Sequence, residues 1–124
     1  MRGIEEYKAV NISSASKEEL VLMLYEAAVR HQLAAQESFS RSDTHVARDN
    51  LRKVRDIFAE LMVALDHESA PELSANLSRL YTWVIGEIGR AGLEKDPDRI
   101  DGTLRVTRNL LDGWVEAFRD QPED

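Results

Sequence analysis

From residue 16 onward, apolar positions recur at steps of three and four, the period of an amphipathic α-helix. Ser16-Lys17-Glu18-Glu19 has the S-x-x-E form of a capping box, in which the serine oxygen accepts a backbone N–H and the glutamate reaches back to the cap. A first helix is predicted from Lys17 to about Phe39. On it Leu20, Leu24, Ala27 and Ala34 make one apolar row with His31 among them, and Leu22, Tyr25 and Val29 make a second. A helix apolar on two faces is usually central, so the first row is expected to face the core. Ser40-Arg41-Ser42-Asp43 then gives a polar break and a new N-cap.

The second stretch is the most regular. Ala47, Leu51, Val54, Phe58, Leu61 and Leu65 step by four and three, with Ile57 and Met62 widening the stripe, which predicts a helix from Thr44 to Asp66. Ser69-Ala70-Pro71-Glu72 reads as a second capping box with proline in the first turn, where its missing N–H costs nothing. A third helix follows with Leu73, Leu77, Leu80, Tyr81, Val84 and Ile88, and Gly92 is placed to end it in the left-handed conformation. Asp96-Pro97 is a cap and first-position pair for a fourth helix, Pro97 to about Arg119, whose stripe is Ile100, Leu104, Thr107, Leu111, Trp114 and Phe118. Four helices with short polar links predict an all-α fold, an antiparallel up-down four-helix bundle over residues 16–120. Ahead of it, Ile4, Tyr7, Val10 and Ile12 lack helical spacing and suggest an extended N-terminal strap over residues 1–15. Residues 121–124 are expected to be a mobile tail.

Composition narrows the function. The 124 residues fit one domain, and 43% hydrophobic with 31% charged residues is the balance of an ordinary globular protein. No cysteine is present, which excludes disulfides and thiolate chemistry and fits the cytoplasm. The longest apolar run, Leu20 to Tyr25, is six residues against the roughly 20 that a membrane span needs, so membrane insertion is not expected. A net charge of -7 disfavours nucleic acid. Arg48, Arg52 and Arg55 fall on one helical face, but Asp49, Asp56 and Glu60 alternate with them, and the face reads as solvated and ion-paired.

A search for chemistry finds none. Helical di-metal sites need Glu-x-x-His pairs, and the residues three before His31, His45 and His67 are Ala28, Ser42 and Ala64. His31 is expected to be a hydrogen-bonded core or boundary residue, His45 and His67 to lie at helix ends, and Asp66-His67-Glu68 to be a turn. The six glycines form no phosphate-cradling loop. Gly86, Gly89 and Gly92, spaced by three, either loosen the end of the third helix or give a flat strip for another backbone. No enzyme activity, metal or cofactor is expected. What remains is a surplus of apolar residues, including Trp83 and Ile85, beyond what a core needs, the mark of a groove for a partner or for a self-covering segment.

The run from Val10 to Arg30, with Leu22-Met23-Leu24-Tyr25 at its heart, resembles the start of the flagellin-specific export chaperones, the FliS family. Asn76-Leu77-Ser78-Arg79-Leu80-Tyr81, Ala91-Gly92-Leu93, Asp96-Pro97 and Trp114 follow in the family's order, so the resemblance covers about Tyr7 to Arg119. It implies a four-helix bundle that binds the C-terminal segment of newly made flagellin, prevents premature polymerisation and delivers it to the flagellar type III export apparatus. It also implies that the N-terminal segment can cover the client groove, and that Tyr7 contributes to docking at a component of the export gate. Lys17 stands where the family commonly has proline, Gly86 and Gly89 where larger residues are usual, and Gly92 where asparagine is common. Candidate partner-binding residues are Tyr7, Val10, Leu22, Tyr25, Val29, Ile57, Leu77, Tyr81, Ile85 and Ile88. The alternatives are an export chaperone for a filament-cap or hook-associated protein, and a regulatory helical bundle that self-associates, for instance as a homodimer.

Overall fold

Ser16 opens the first helix as its capping chemistry predicts, its hydroxyl accepting the Glu19 N–H at 3.1 Å. In the computed structural model, which describes residues 16–119, that helix is α1 (Lys17–Ser40), followed by α2 (Thr44–Val63), α3 (Pro71–Glu94) and α4 (Pro97–Arg119). The Asp43 carboxylate caps α2 by accepting from the Val46 N–H at 3.3 Å, and Asp96 caps α4 by accepting from the Asp98 N–H at 3.1 Å. The strap of residues 1–15 and the tail of residues 121–124 lie outside the described residues.

Each helix packs on its chain neighbours, and α4 closes the ring on α1. Side-chain bonds fix the directions. The end of α1 meets the start of α4 through Gln36 and Asp101 (2.6 Å), while Tyr25 meets Trp114 near the other end (3.1 Å). His31 reaches Asn50, the Arg48 Nε–H donates to the Gly92 carbonyl, and Arg99 pairs with Glu87, so all four adjacent pairs run antiparallel. This is the predicted up-down bundle.

Three boundaries differ from the sequence reading. Helix α2 stops at Val63 rather than Asp66, because the Asp66 carboxylate accepts the Glu68 and Ser69 N–H groups and turns the chain. Ser69 is not a cap: Pro71 takes the first helical position, Ala70 the N-cap, and no side chain caps this end. Gly92 does not end α3. It is a buried helical residue, and Lys95, at φ 54° and ψ 47°, is the left-handed terminator. Gly92 packs on α2, with Leu51 Cδ1 and Arg48 Cγ 3.5 and 3.9 Å from where a Cβ would stand.

The core is built on three rings. Tyr25 and Phe58 meet edge-on at 6.3 Å between centroids, and Phe58 and Tyr81 at 5.5 Å, geometries that add to the burial of their area. Val54, Val84, Ile88 and Ile100 fill the space around them. The inward face of α1 is Tyr25, Ala28, Gln32 and Ala35, whereas the row expected inside, Leu20, Leu24, Ala27 and Ala34, is only half-buried. The displacement has one cause: Gln32, polar and discounted by an apolar count, is fully buried. Its amide donates to the Ala28 carbonyl (3.1 Å) and to Thr107 Oγ1 (2.9 Å), and its Oε1 accepts from Thr103 Oγ1 (2.7 Å). A polar group so satisfied can occupy a core at little cost.

Candidate functional site

The three-residue turn between α1 and α2 and the two-residue turn between α3 and α4 close one end of the bundle, whereas a seven-residue link joins α2 to α3 at the other. At that second end lies an apolar pocket of about 210 Å³. Val21, Leu61, Leu65, Leu73 and Leu77 form its walls, and Tyr81 and Trp114 line it from within. It is smaller than the roughly 300–1,000 Å³ of sites for drug-sized molecules, and suits one or two side chains of a polypeptide. Leu73 stands half-exposed at the rim because Pro71 starts α3 two residues before it.

Beneath the pocket, the Trp114 indole N–H donates to the Tyr25 hydroxyl at 3.1 Å, and the Tyr25 and Tyr81 hydroxyls share a short hydrogen bond. Burial raises the pKa of Tyr25, offset in part by its hydrogen bonds with Tyr81 and Trp114. Burial, and then the adjoining Tyr25 hydroxyl, push the Tyr81 phenol well above the ordinary phenol range. Both therefore stay neutral and act as structural hydrogen-bonding groups. Among the described residues no three His, Asp or Glu side chains gather as a metal site.

A second apolar surface runs along the outside of α1 where it meets α2. Leu20, Met23, Leu24 and Ala27 floor a furrow of about 560 Å³ edged by Glu26, Arg30 and Glu60. Met23 is 60% exposed there. Pocket and furrow flank one helix contact: Val21 and Leu61 line the pocket while their chain neighbours Leu20 and Glu60 line the furrow. An open apolar channel with charged edges is the geometry that receives an amphipathic segment, and methionine adapts to varied partners.

The candidate residues scatter across this framework. Tyr25, Leu77, Tyr81 and Ile88 are buried in the core, with Leu77 and Tyr81 reaching the pocket. Ile57 and Ile85 are half-buried against that core, Leu22 lies near Phe118 in a shallow hollow beside the α1 cap, and Val29 is half-buried. Tyr7 and Val10 lie outside the described residues. The described candidates thus do not form one continuous face. The furrow residues Leu20, Met23 and Ala27 and the pocket residues Leu61, Leu65, Leu73 and Trp114 were not among the candidates. Their sequence signal was an apolar residue on the outer side of α1 and leucines bracketing the Asp66 turn, where a helix stripe continues past the helix end.

Among known proteins, the family model described as "Flagellar protein FliS" matches residues 1–121. The flagellar secretion chaperone FliS of Campylobacter jejuni is 33% identical over 106 residues, covering 86% of this chain and 83% of that one. Those of Vibrio cholerae and Escherichia coli are each 27% identical, over 92% and 94% of this chain and 88% and 90% of their own. A crystal structure titled as a flagellar chaperone from bacteria superposes with a TM-score of 0.80 at 21% identity, covering 98% of both chains, and shows the same fold. No described helix is long and apolar enough to cross a membrane.

Proposed function

The chain belongs to the FliS family of flagellar secretion chaperones, and on that premise we propose that it binds the C-terminal segment of newly made flagellin in the cytoplasm, keeps it from polymerising and delivers it to the flagellar export apparatus. The observation that carries this reading is the open-end pocket beside the α1–α2 furrow, two apolar surfaces separated by a single helix contact. An unfolded amphipathic segment gains affinity by seating apolar side chains one helical turn at a time, and the furrow followed by the pocket offers such a series. Bound in that way, the client's apolar stripe is covered and unavailable to another flagellin.

Residues 1–15 share this surface with the client in the proposal. Fully extended, they span roughly 50 Å, against about 36 Å for the 24-residue α1. Their apolar residues, Val10 among them, occupy the furrow when no client is bound, and Tyr7 serves the docking to an export-gate component.

Calorimetric titration with the C-terminal segment of the organism's own flagellin tests the reading, with the terminal segment of its filament-cap protein as the comparison. Met23 and Leu73 are exposed enough to change without unfolding the bundle. Met23→Asp and Leu73→Asp are each expected to weaken flagellin binding by roughly tenfold or more, as central apolar contacts do. Absence of binding to the unaltered protein, or tighter binding of the filament-cap segment, overturns it.

A further inference from the structure

On the far side of α2 from the furrow, the sequence's basic face and its glycine strip come together. A cleft of about 520 Å³ lies between α2 and α3, with Arg48, Arg52 and Arg55 on one wall and Gly89 and Gly92 on the other. One carboxylate, Asp49, stands among the three guanidinium groups, bonded to Arg52 at 2.7 Å. The cleft therefore holds a positive surplus in a chain whose net charge is -7. Arg48 is fixed in place by its Nε–H donating to the Gly92 carbonyl at 2.9 Å.

The glycines are not explained by the fold. A glycine inside a helix costs about 1 kcal/mol against alanine. Gly92 has neighbours in ordinary contact distance, but a Cβ built at Gly86 or Gly89 meets nothing within 4 Å. Internal packing would accept a side chain at both positions, yet at Gly89 the wall of the cleft is bare backbone. The arginines recur at i, i+4 and i+7, so along α2 they stand about 6 and 4.5 Å apart, spacings that carboxylates at i, i+4 and i+7 of another helix would match.

We propose that this cleft is a second docking surface, whose occupant is an acidic amphipathic helix of a partner protein with small residues between its carboxylates. The carboxylates meet Arg48, Arg52 and Arg55, and the small residues lie against Gly89, where the missing side chain permits close approach. Exposed Leu93 at the rim adds an apolar contact. The surface is separate from the furrow and pocket, so the site stands or falls independently of flagellin binding.

The probe is a synthetic peptide of about 20 residues, long enough to be helical in water, with glutamates at i, i+4 and i+7 and alanines between, and a glutamine-substituted control. Binding to the full chain is followed by fluorescence anisotropy and by NMR shifts of the Gly89 and Gly92 amides. The glutamate peptide is expected to bind with shifts centred on those amides and to weaken as salt is raised. Arg52→Glu and Arg55→Glu should each weaken it by roughly tenfold and leave flagellin binding unchanged. Gly89→Leu should abolish peptide binding while the melting temperature holds or rises. Equal binding of the glutamine peptide, shifts centred elsewhere, or indifference to all three substitutions overturns the proposal.

Discussion

The two ends of the bundle are built from different bonds. At the closed end, α1 and α4 are joined by a polar ladder: Gln36 donates to Asp101 at 2.6 Å, and Gln32 is locked between Thr103 and Thr107. There Arg99 also ties α4 to α3 through Glu87 at 3.2 Å and Glu94 at 3.0 Å. At the open end, below Tyr25, the walls of the pocket are mostly apolar, and its polar links are the Tyr81–Tyr25–Trp114 chain and the Ser74 hydroxyl, which donates to the Asp66 carbonyl at 2.9 Å. Hydrogen bonds fix geometry sharply, whereas apolar contacts tolerate rearrangement. A bundle held in register at one end can therefore adapt at the other, and a site for a polypeptide segment belongs where the contacts are apolar.

The largest test of that contrast is Tyr81→Ala. It removes a ring from the central trio and the floor of the pocket, and should cost about 3–5 kcal/mol, the range for emptying an aromatic site. Tyr81→Phe keeps the ring, and since the Tyr25 hydroxyl retains the Trp114 N–H, it should cost about 1 kcal/mol. Chemical denaturation of both variants separates packing from the hydrogen bond, and equal costs would show that the open end too depends on polar bonds. Next comes Gln32→Ala at the closed end, expected to cost about 2–3 kcal/mol from lost bonds and a cavity. Gln32→Leu should cost less, because Thr103 and Thr107 can still donate to the Ile100 and Thr103 carbonyls. If Gln32→Ala left amide exchange in the first half of α4 unchanged, the ladder would not be what holds that end.

How much of this was legible depended on whether a side chain's role followed from its polarity. The stripe of α2 is readable because every inward residue is apolar, and Asp96-Pro97 is readable because an acidic cap followed by proline suits the first turn of a helix. Gln32 and Thr103 hide in the pattern, whereas Thr107 stands on the predicted α4 stripe and is buried there. All three are polar, and the bonds that join them cross two helices, 71 and 75 residues apart in sequence, beside the local ones that Thr103 and Thr107 make to the Ile100 and Thr103 carbonyls. Once Gln32 is counted as inward, the apolar row through Leu20 and Ala27 turns outward and becomes the furrow. Gly92 shows the same limit: the helix runs on past it to Glu94, and a lysine, Lys95, takes the left-handed position. Tyr25, on the second apolar row of α1, and Tyr81, on the stripe of α3, read as candidates for partner binding, and the fold buries both in its centre.

A smaller effect sharpens the contrast through pH. Tyr25 and Tyr81 have folded pKa values above the ordinary phenol value of 10.0. Their contribution to stability is complete below that value. As pH rises past it the unfolded chain loses protons that the folded chain keeps, so stability falls by up to about 1.4 kcal/mol per pH unit for each phenol held neutral. Melting curves from neutral pH to about pH 11 should show this decline, and Tyr81→Phe should flatten it. Gln32→Leu, which removes no ionisable group, should leave the slope intact.

The smallest effect concerns the lip of the open end. Asp66 borders the pocket, and its carboxylate accepts the Ser69 N–H at 3.0 Å and the Glu68 N–H at 3.2 Å. The Ser69 backbone bond, then the Ser69 side chain, and in lesser degree Glu68 and the positive charge of Lys17, hold its pKa below the usual 3.8. Because the folded value is the lower one, the stabilisation is present above the unfolded pKa and is lost as pH falls through the folded pKa. Asp66→Asn keeps an acceptor oxygen but removes the charge, so it should lower the melting temperature slightly at neutral pH and speed exchange of the Ser69 amide. On acidification to about pH 2 the two proteins should converge, since the native carboxylate is then protonated as well. A difference that stayed constant with pH would mean that the oxygen's position alone, and not its charge, holds the turn, and the lip of the pocket would then rest on the same neutral hydrogen bonding as Gln32 at the other end.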